Sequence, residues 1–169
     1  MATTSAVVSE TQPQTRAWPR VLLALGRVVL GAIFLYAAYA KLHFNGSWHL
    51  RDYYFFFGMA INSYNLLPLW AVELLSRFMP WFELALGFFL VIGIGLRLTS
   101  LIASALLLVF IAAMTRAYIL GLEIVCGCFG NTEKLGPWTL TRDSSMLVLA
   151  LAVALGAFLI NRRRTAVSS

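Results

Sequence analysis

Charge is scarce in this chain: only 12% of its 169 residues are Asp, Glu, Lys or Arg, while 60% are apolar. That imbalance excludes an ordinary water-soluble domain, whose surface needs about twice the charge, and makes the bilayer the natural solvent for one domain of this length. Cysteine is nearly absent. Two residues, Cys126 and Cys128, cannot build a disulfide framework, and their C-G-C spacing differs from the paired C-x-x-C sets of structural zinc sites. Acidic side chains are few, leaving a formal charge of +6, yet the arginines lie between apolar segments and near the two ends. A continuous basic stripe of the kind that grips nucleic acid is missing. No duplicated half is visible, and polar lining is sparse, which argues against a small-solute carrier built from inverted repeats.

What is present is a series of long apolar runs. Residues 1–17, rich in Ser, Thr, Gln and Ala, read as a disordered cytoplasmic tail. Val21 to Ala40 follow with Arg27 as the only charge, about the length that crosses roughly 30 Å of hydrocarbon. Ala38-Tyr39-Ala40 imitates a signal-peptide cleavage site, but the apolar stretch exceeds a signal core, so this first span (about 21–41) is expected to be retained. The second span covers about 78–97, with Pro80 in its first turn, where unpaired N–H groups make proline tolerable. The third covers 98–122. The joint at Arg97 to Thr99 is short enough to force these two helices into antiparallel contact. The fourth, about 144–161, is introduced by Thr141 as N-cap with Asp143 in the favourable first turn, and it stops at Arg162-Arg163-Arg164, leaving 163–169 as a second cytoplasmic tail.

Residues 53–72 carry no charge before Glu73 and could be counted as a fifth span. Asn62, Ser63, Asn65 and Pro68 sit in the middle, where lipid penalises unsatisfied polar groups, whereas Tyr53, Tyr54, Tyr64 and Trp70 favour the interface. The segment therefore reads as an interfacial or re-entrant helix. The expected architecture of residues 18–162 is an all-α, four-transmembrane-helix bundle with this additional helix between the first two spans. With both termini in the cytoplasm, seven basic residues including Arg16, Arg20, Arg97 and Arg162 to Arg164 lie inside, against Lys41, Arg51, Arg77, Lys134 and Arg142 outside. The setting is a multi-pass protein of the cell membrane.

In that topology Glu123-Ile124-Val125-Cys126-Gly127-Cys128-Phe129-Gly130 emerges outside, where compartments are oxidising and a thiol pair is suited to disulfide exchange. A ring closed over one intervening residue is strained, and strain makes a disulfide easier to reduce. The negative end of the preceding helix dipole and the charge of Glu123 both disfavour the thiolate. A cation must compensate, and Lys41, Arg116 or Lys134 are the candidates. Measured from the arginines flanking each span, Lys41, Glu83 and Arg116 lie at depths of about 31, 21 and 28 Å, all in the outer third. Glu83 must pair with one of those cations or be protonated.

Alternative readings stay open beside this one. The cysteines could form a small-residue turn with inert thiols, a static structural disulfide, or half of a tetrahedral metal site completed by His43 or His49. Each histidine stands beside aromatic residues and reads better as an interface side chain, so no metal is expected. The ring-rich segment from Tyr53 to Phe57 reads as a membrane belt, although quinone sites also use such rings. Gly87, Gly93 and Gly95 read as close helix contacts.

Leu30-Gly31-Ala32-Ile33-Phe34, Ala40-Lys41-Leu42, the string from Ala60 to Pro68 and the string from Pro80 to Gly87 resemble the DoxX-like superfamily. Adding Cys126-Gly127-Cys128-Phe129-Gly130 and Trp138 to Arg142 makes the chain similar to the MauE branch, over roughly residues 20–160. Arg142-Asp143 stands where that family often has Arg-Asn. The resemblance implies a four-helix membrane protein tied to redox or disulfide handling of exported proteins. MauE is linked to maturation of the disulfide-rich small subunit of methylamine dehydrogenase, and DoxX relatives to sulfur oxidation with electrons passing to quinone. The leading expectation is a thiol-disulfide oxidoreductase in which Cys126 and Cys128 exchange with an exported thiol protein, with quinone as the electron acceptor. Lys41, Glu83, Arg116 and Glu123 are its supporting charges. The alternative is a non-enzymatic accessory subunit packed against a larger membrane complex. In neither case is nucleic acid a partner.

Overall fold

The computed structural model describes residues 18–43, 50–127 and 129–165. Among the described residues, five helices and one small hairpin follow in the order α1 (Trp18–Leu42), α2 (Leu50–Ser63), α3 (Leu69–Ile92), α4 (Leu96–Ile119), β1 (Val125–Gly127), β2 (Gly130–Lys134) and α5 (Pro137–Thr165). Four of the helices are long and apolar enough to span a bilayer, over Arg20–Leu42, Leu69–Ile92, Leu96–Ile119 and Pro137–Leu159. The chain is a multi-pass membrane protein. Large apolar side chains such as Leu25, Phe78, Leu98, Val109 and Leu155 point outward, as lipid permits. The tail at 1–17, His49 and Cys128 lie outside the described residues.

Helix boundaries depart from the sequence reading at several points, and three of these departures have a clear local cause. The ring-rich segment divides: α2 ends at Ser63, Asn65 takes the left-handed φ of 50°, and Pro68 starts the next helix at Leu69, nine residues before Phe78. Pro80 therefore sits in the interior of α3 and not in its first turn. The last helix begins at Pro137, where Gly136 and Thr139 cap each other: Gly136 N–H donates to Thr139 Oγ1 at 3.0 Å, and that hydroxyl donates back to the Gly136 carbonyl at 2.7 Å. Proline suits the first turn because no partner for its missing N–H is required there. Thr141 lies inside the helix and donates to the Pro137 carbonyl, so it is not the N-cap. At the other end α5 runs on through Arg162 to Arg164 to Thr165, since long basic side chains are good helix formers.

Packing is pairwise: α1 lies chiefly on α3, α4 on α5, and α2 on α3. Leu30 and Phe34 of α1, Leu86 and Leu90 of α3, Ala103 of α4 and Ala150 of α5 form the central core. Hydroxyls in the spans are satisfied within their own helix, as in Ser100 Oγ to the Leu96 carbonyl at 2.5 Å and Ser104 Oγ to the Ser100 carbonyl at 2.8 Å, because lipid offers no alternative. Only Gly93 to Gly95 separates α3 from α4: the joint lies here and not at Arg97 to Thr99, which are inside α4. Gly93 and Gly95 are turn residues rather than close contacts between helix backbones. Gly93 (φ 86°) closes one helix with its N–H on the Phe89 carbonyl at 2.8 Å, and Gly95 (φ 58°) opens the next. A left-handed φ at both positions is what lets the chain reverse so tightly.

Candidate functional site

Two features at the α1 C-terminal end of the bundle carry chemistry. One is the hairpin between α4 and α5. Its strands pair antiparallel, Val125 with Lys134 and Gly127 with Gly130, with a register irregularity between Val125 and Gly127. Leu135 N–H extends the ladder to the Ile124 carbonyl at 2.9 Å. This hairpin is not legible from the residues alone, because three- and five-residue strands are too short for alternation to register.

Cys126 lies on β1, 3% exposed, among Tyr64, Met114 and Ala117. Its Sγ stands 3.2 Å from Met114 Sδ, and Tyr64 Oη donates to its carbonyl at 3.3 Å. Ile119 ends α4 seven residues earlier, so the unfavourable helix dipole expected at Cys126 has decayed: its influence is confined to the last turn. Glu123 is exposed. Arg116 reaches toward the cysteine strand indirectly: its guanidinium donates to the Tyr64 carbonyl at 3.4 Å, and Tyr64 in turn holds Cys126.

Arg142 clamps the hairpin to α5. Its Nη1 bonds Glu133 Oε2 at 2.5 Å, its Nε bonds Asp143 Oδ1 at 3.1 Å, and its guanidinium lies 4.4 Å from the Phe129 ring centroid. Phe129 also leans on Tyr36 of α1, with centroids 5.9 Å apart. The planar fork aims separate N–H donors at two carboxylates while its face stacks on a ring, a geometry that lysine's point-like ammonium does not reproduce. Arg142 and Phe129 were not singled out from sequence as site residues, although both stand in the strings that carry the family resemblance.

The second feature is the Lys41–Glu83 ion pair. Lys41 Nζ bonds Glu83 Oε1, and the two residues are 2% and 4% exposed. Phe57 and Phe110 face the ammonium at 5.3 and 6.0 Å. Of the cations considered for Glu83, the structure selects Lys41, which is thereby committed to the carboxylate. Tyr53 of α2 completes the group: its hydroxyl is buried without a hydrogen-bond partner, and burial, reinforced by the nearby Glu83 charge, pushes its phenol well above the usual range. His43 stacks on Tyr39 with centroids 5.3 Å apart. Among the described residues no group of three His, Cys, Asp or Glu side chains could hold a metal ion.

Residues 19–156 match the family of the methylamine utilisation protein MauE. The chain belongs to the MauE family. It is 34% identical over 141 residues to the methylamine utilization protein MauE of Paracoccus denitrificans, an alignment that covers 82% of this chain and 70% of that one. No solved structure matches it. Within this MauE-family chain, the C-G-C-F-G string and the Lys41–Glu83 pair both fall inside the matched region.

Proposed function

We propose that this MauE-family protein is a membrane thiol–disulfide oxidoreductase that acts in the maturation of an exported partner, with Cys126 and Cys128 as the exchanging pair. In each cycle a partner dithiol forms its S–S bond while the Cys126–Cys128 S–S bond breaks, and two electrons and two protons pass to this pair. A membrane quinone then takes up both and leaves as quinol. Both termini lie in the cytoplasm, α2 rests at the interface, and the hairpin faces the exterior. One observation carries the reading: the Cys126 strand is a defined structural element, held by Tyr64 on one side and, through Glu133 and Phe129, by Arg142 on the other.

The test is the redox state of the pair in native membranes, read by mass spectrometry after thiol trapping with and without reductant. A disulfide that exchanges with an exported thiol protein, and is lost in Cys128→Ser together with function, supports the proposal. Permanently reduced cysteines and a silent Cys128→Ser would sink it.

A second reading has its own observation. Cys126 is 3% exposed and its sulfur rests on Met114, surroundings that suit a structural cysteine better than a nucleophile. In that case the protein is an accessory subunit of a larger membrane complex. Stoichiometric co-purification, with cysteine-free variants retaining function, would select it.

A further inference from the structure

A narrow cavity runs between α1, α3, α4 and α5, along α1 from Leu30 to Lys41, about 16 Å at 1.5 Å per residue. Most of its wall is apolar, yet Lys41, Glu83 and Asp143 all face it, and Phe129 of the hairpin borders it. Those three charged residues are 2%, 4% and 3% exposed. Glu83 Oε1 is engaged by Lys41, but Oε2 is buried without a hydrogen-bond partner. An ammonium has three N–H donors, and a carboxylate accepts through both oxygens. Leaving such a group unsatisfied is costly, so the cavity must supply a partner.

Size decides what that partner is. The cavity volume is about 40 Å³. One water needs at least roughly 10–15 Å³, so about three fit, while an aromatic head group would require the walls to move. Water also needs two or more polar neighbours. Glu83 from α3, Lys41 from α1 and Asp143 from α5 provide them, whereas α4 contributes only Leu106, Leu107 and Phe110. Among the described residues, Tyr53 from α2, Arg142 bonded to both Asp143 and Glu133, and Tyr36 against Phe129 also stand near this set.

We propose that the cavity binds a short chain of water that joins Glu83 Oε2 to Asp143, so that Glu83 exchanges protons with the hairpin end of the bundle beneath Phe129. The site would serve thiol exchange, which takes up and releases protons, but it stands independently of that reading. Water contact with Glu83 is measurable whether or not the cysteines turn over.

The experiment is solid-state NMR of the full chain in lipid, following magnetisation transfer from water to Glu83 Cδ and Lys41 Nζ. Both should show transfer in the wild type. Ala37→Leu, which fills the cavity wall, should abolish it at Glu83 while the Lys41 and Glu83 shifts still report the ion pair. Leu106→Phe is a second filling variant should Ala37→Leu fail to fold. Asp143→Asn should slow the transfer at Glu83 without removing the ion pair. No transfer in the wild type, or transfer unchanged in the folded filling variant, would overturn the proposal. Transfer unaffected by Asp143→Asn would overturn the link to Asp143.

Discussion

Gly31 of α1 and Gly87 of α3 meet backbone to backbone: a Cβ added to either would stand 2.9 Å from the carbonyl oxygen of the other. Real Cβ atoms do not approach that closely, so Gly31→Ala and Gly87→Ala must push the helices apart. Each is expected to destabilise the protein by about 1–3 kcal/mol. Gly58→Ala is the control, since the nearest atom there is 3.8 Å away and alanine favours the helix. Thermal unfolding in detergent should separate the first two variants from the third.

The Lys41–Glu83 pair is a buried one, and removing one partner strands the other. Lys41→Met and Glu83→Leu alone should each cost about 3–5 kcal/mol, and the double variant should regain most of it. A double-mutant cycle measures this directly. Additive losses would mean that the two charges are not coupled.

Arg142→Lys keeps the charge but not the fork. Amide hydrogen exchange in residues 125–135 should rise markedly, while the spanning helices keep their protection, because Glu133 and Phe129 lose their anchor. Glu133→Gln should act more weakly, by about 0.2–1 kcal/mol, since the Glu133 side chain is 39% exposed. Equal exchange in Arg142→Lys and wild type would refute the clamp.

After reduction, Cys126 should react with a maleimide far more slowly than a cysteine placed at exposed Glu123, because Tyr64 and Met114 cover it. Tyr64→Ala should accelerate the reaction. A fast wild-type reaction would contradict the burial of Cys126 behind Tyr64.

The spans were legible because twenty or more apolar residues in a row have few other uses. So was the need of Glu83 to pair with a cation or be protonated, with Lys41 among the cations named. The break between α2 and α3 was harder to place, because Asn65 and Pro68 act through backbone angles that apolar periodicity does not report. Thr141 looked like a cap, yet Gly136 and Thr139 do that work five and two residues earlier. The roles of Phe129 and Arg142 depend on the hairpin folding back over α1 and α5, a long-range event invisible to local pattern. Asp143, read as a helix-terminal charge, proved to be a buried group facing the cavity.

The glycine joint between α3 and α4 governs how the chain enters the bilayer. Three residues span at most about 10 Å, a third of the hydrocarbon thickness, so neither helix can be parked on the far side while the other crosses. The two are expected to enter the bilayer as one helical hairpin with Arg97 near its tip. Phe158 of α5 rests on that guanidinium at 5.4 Å, which places the end of the last helix beside the same tip.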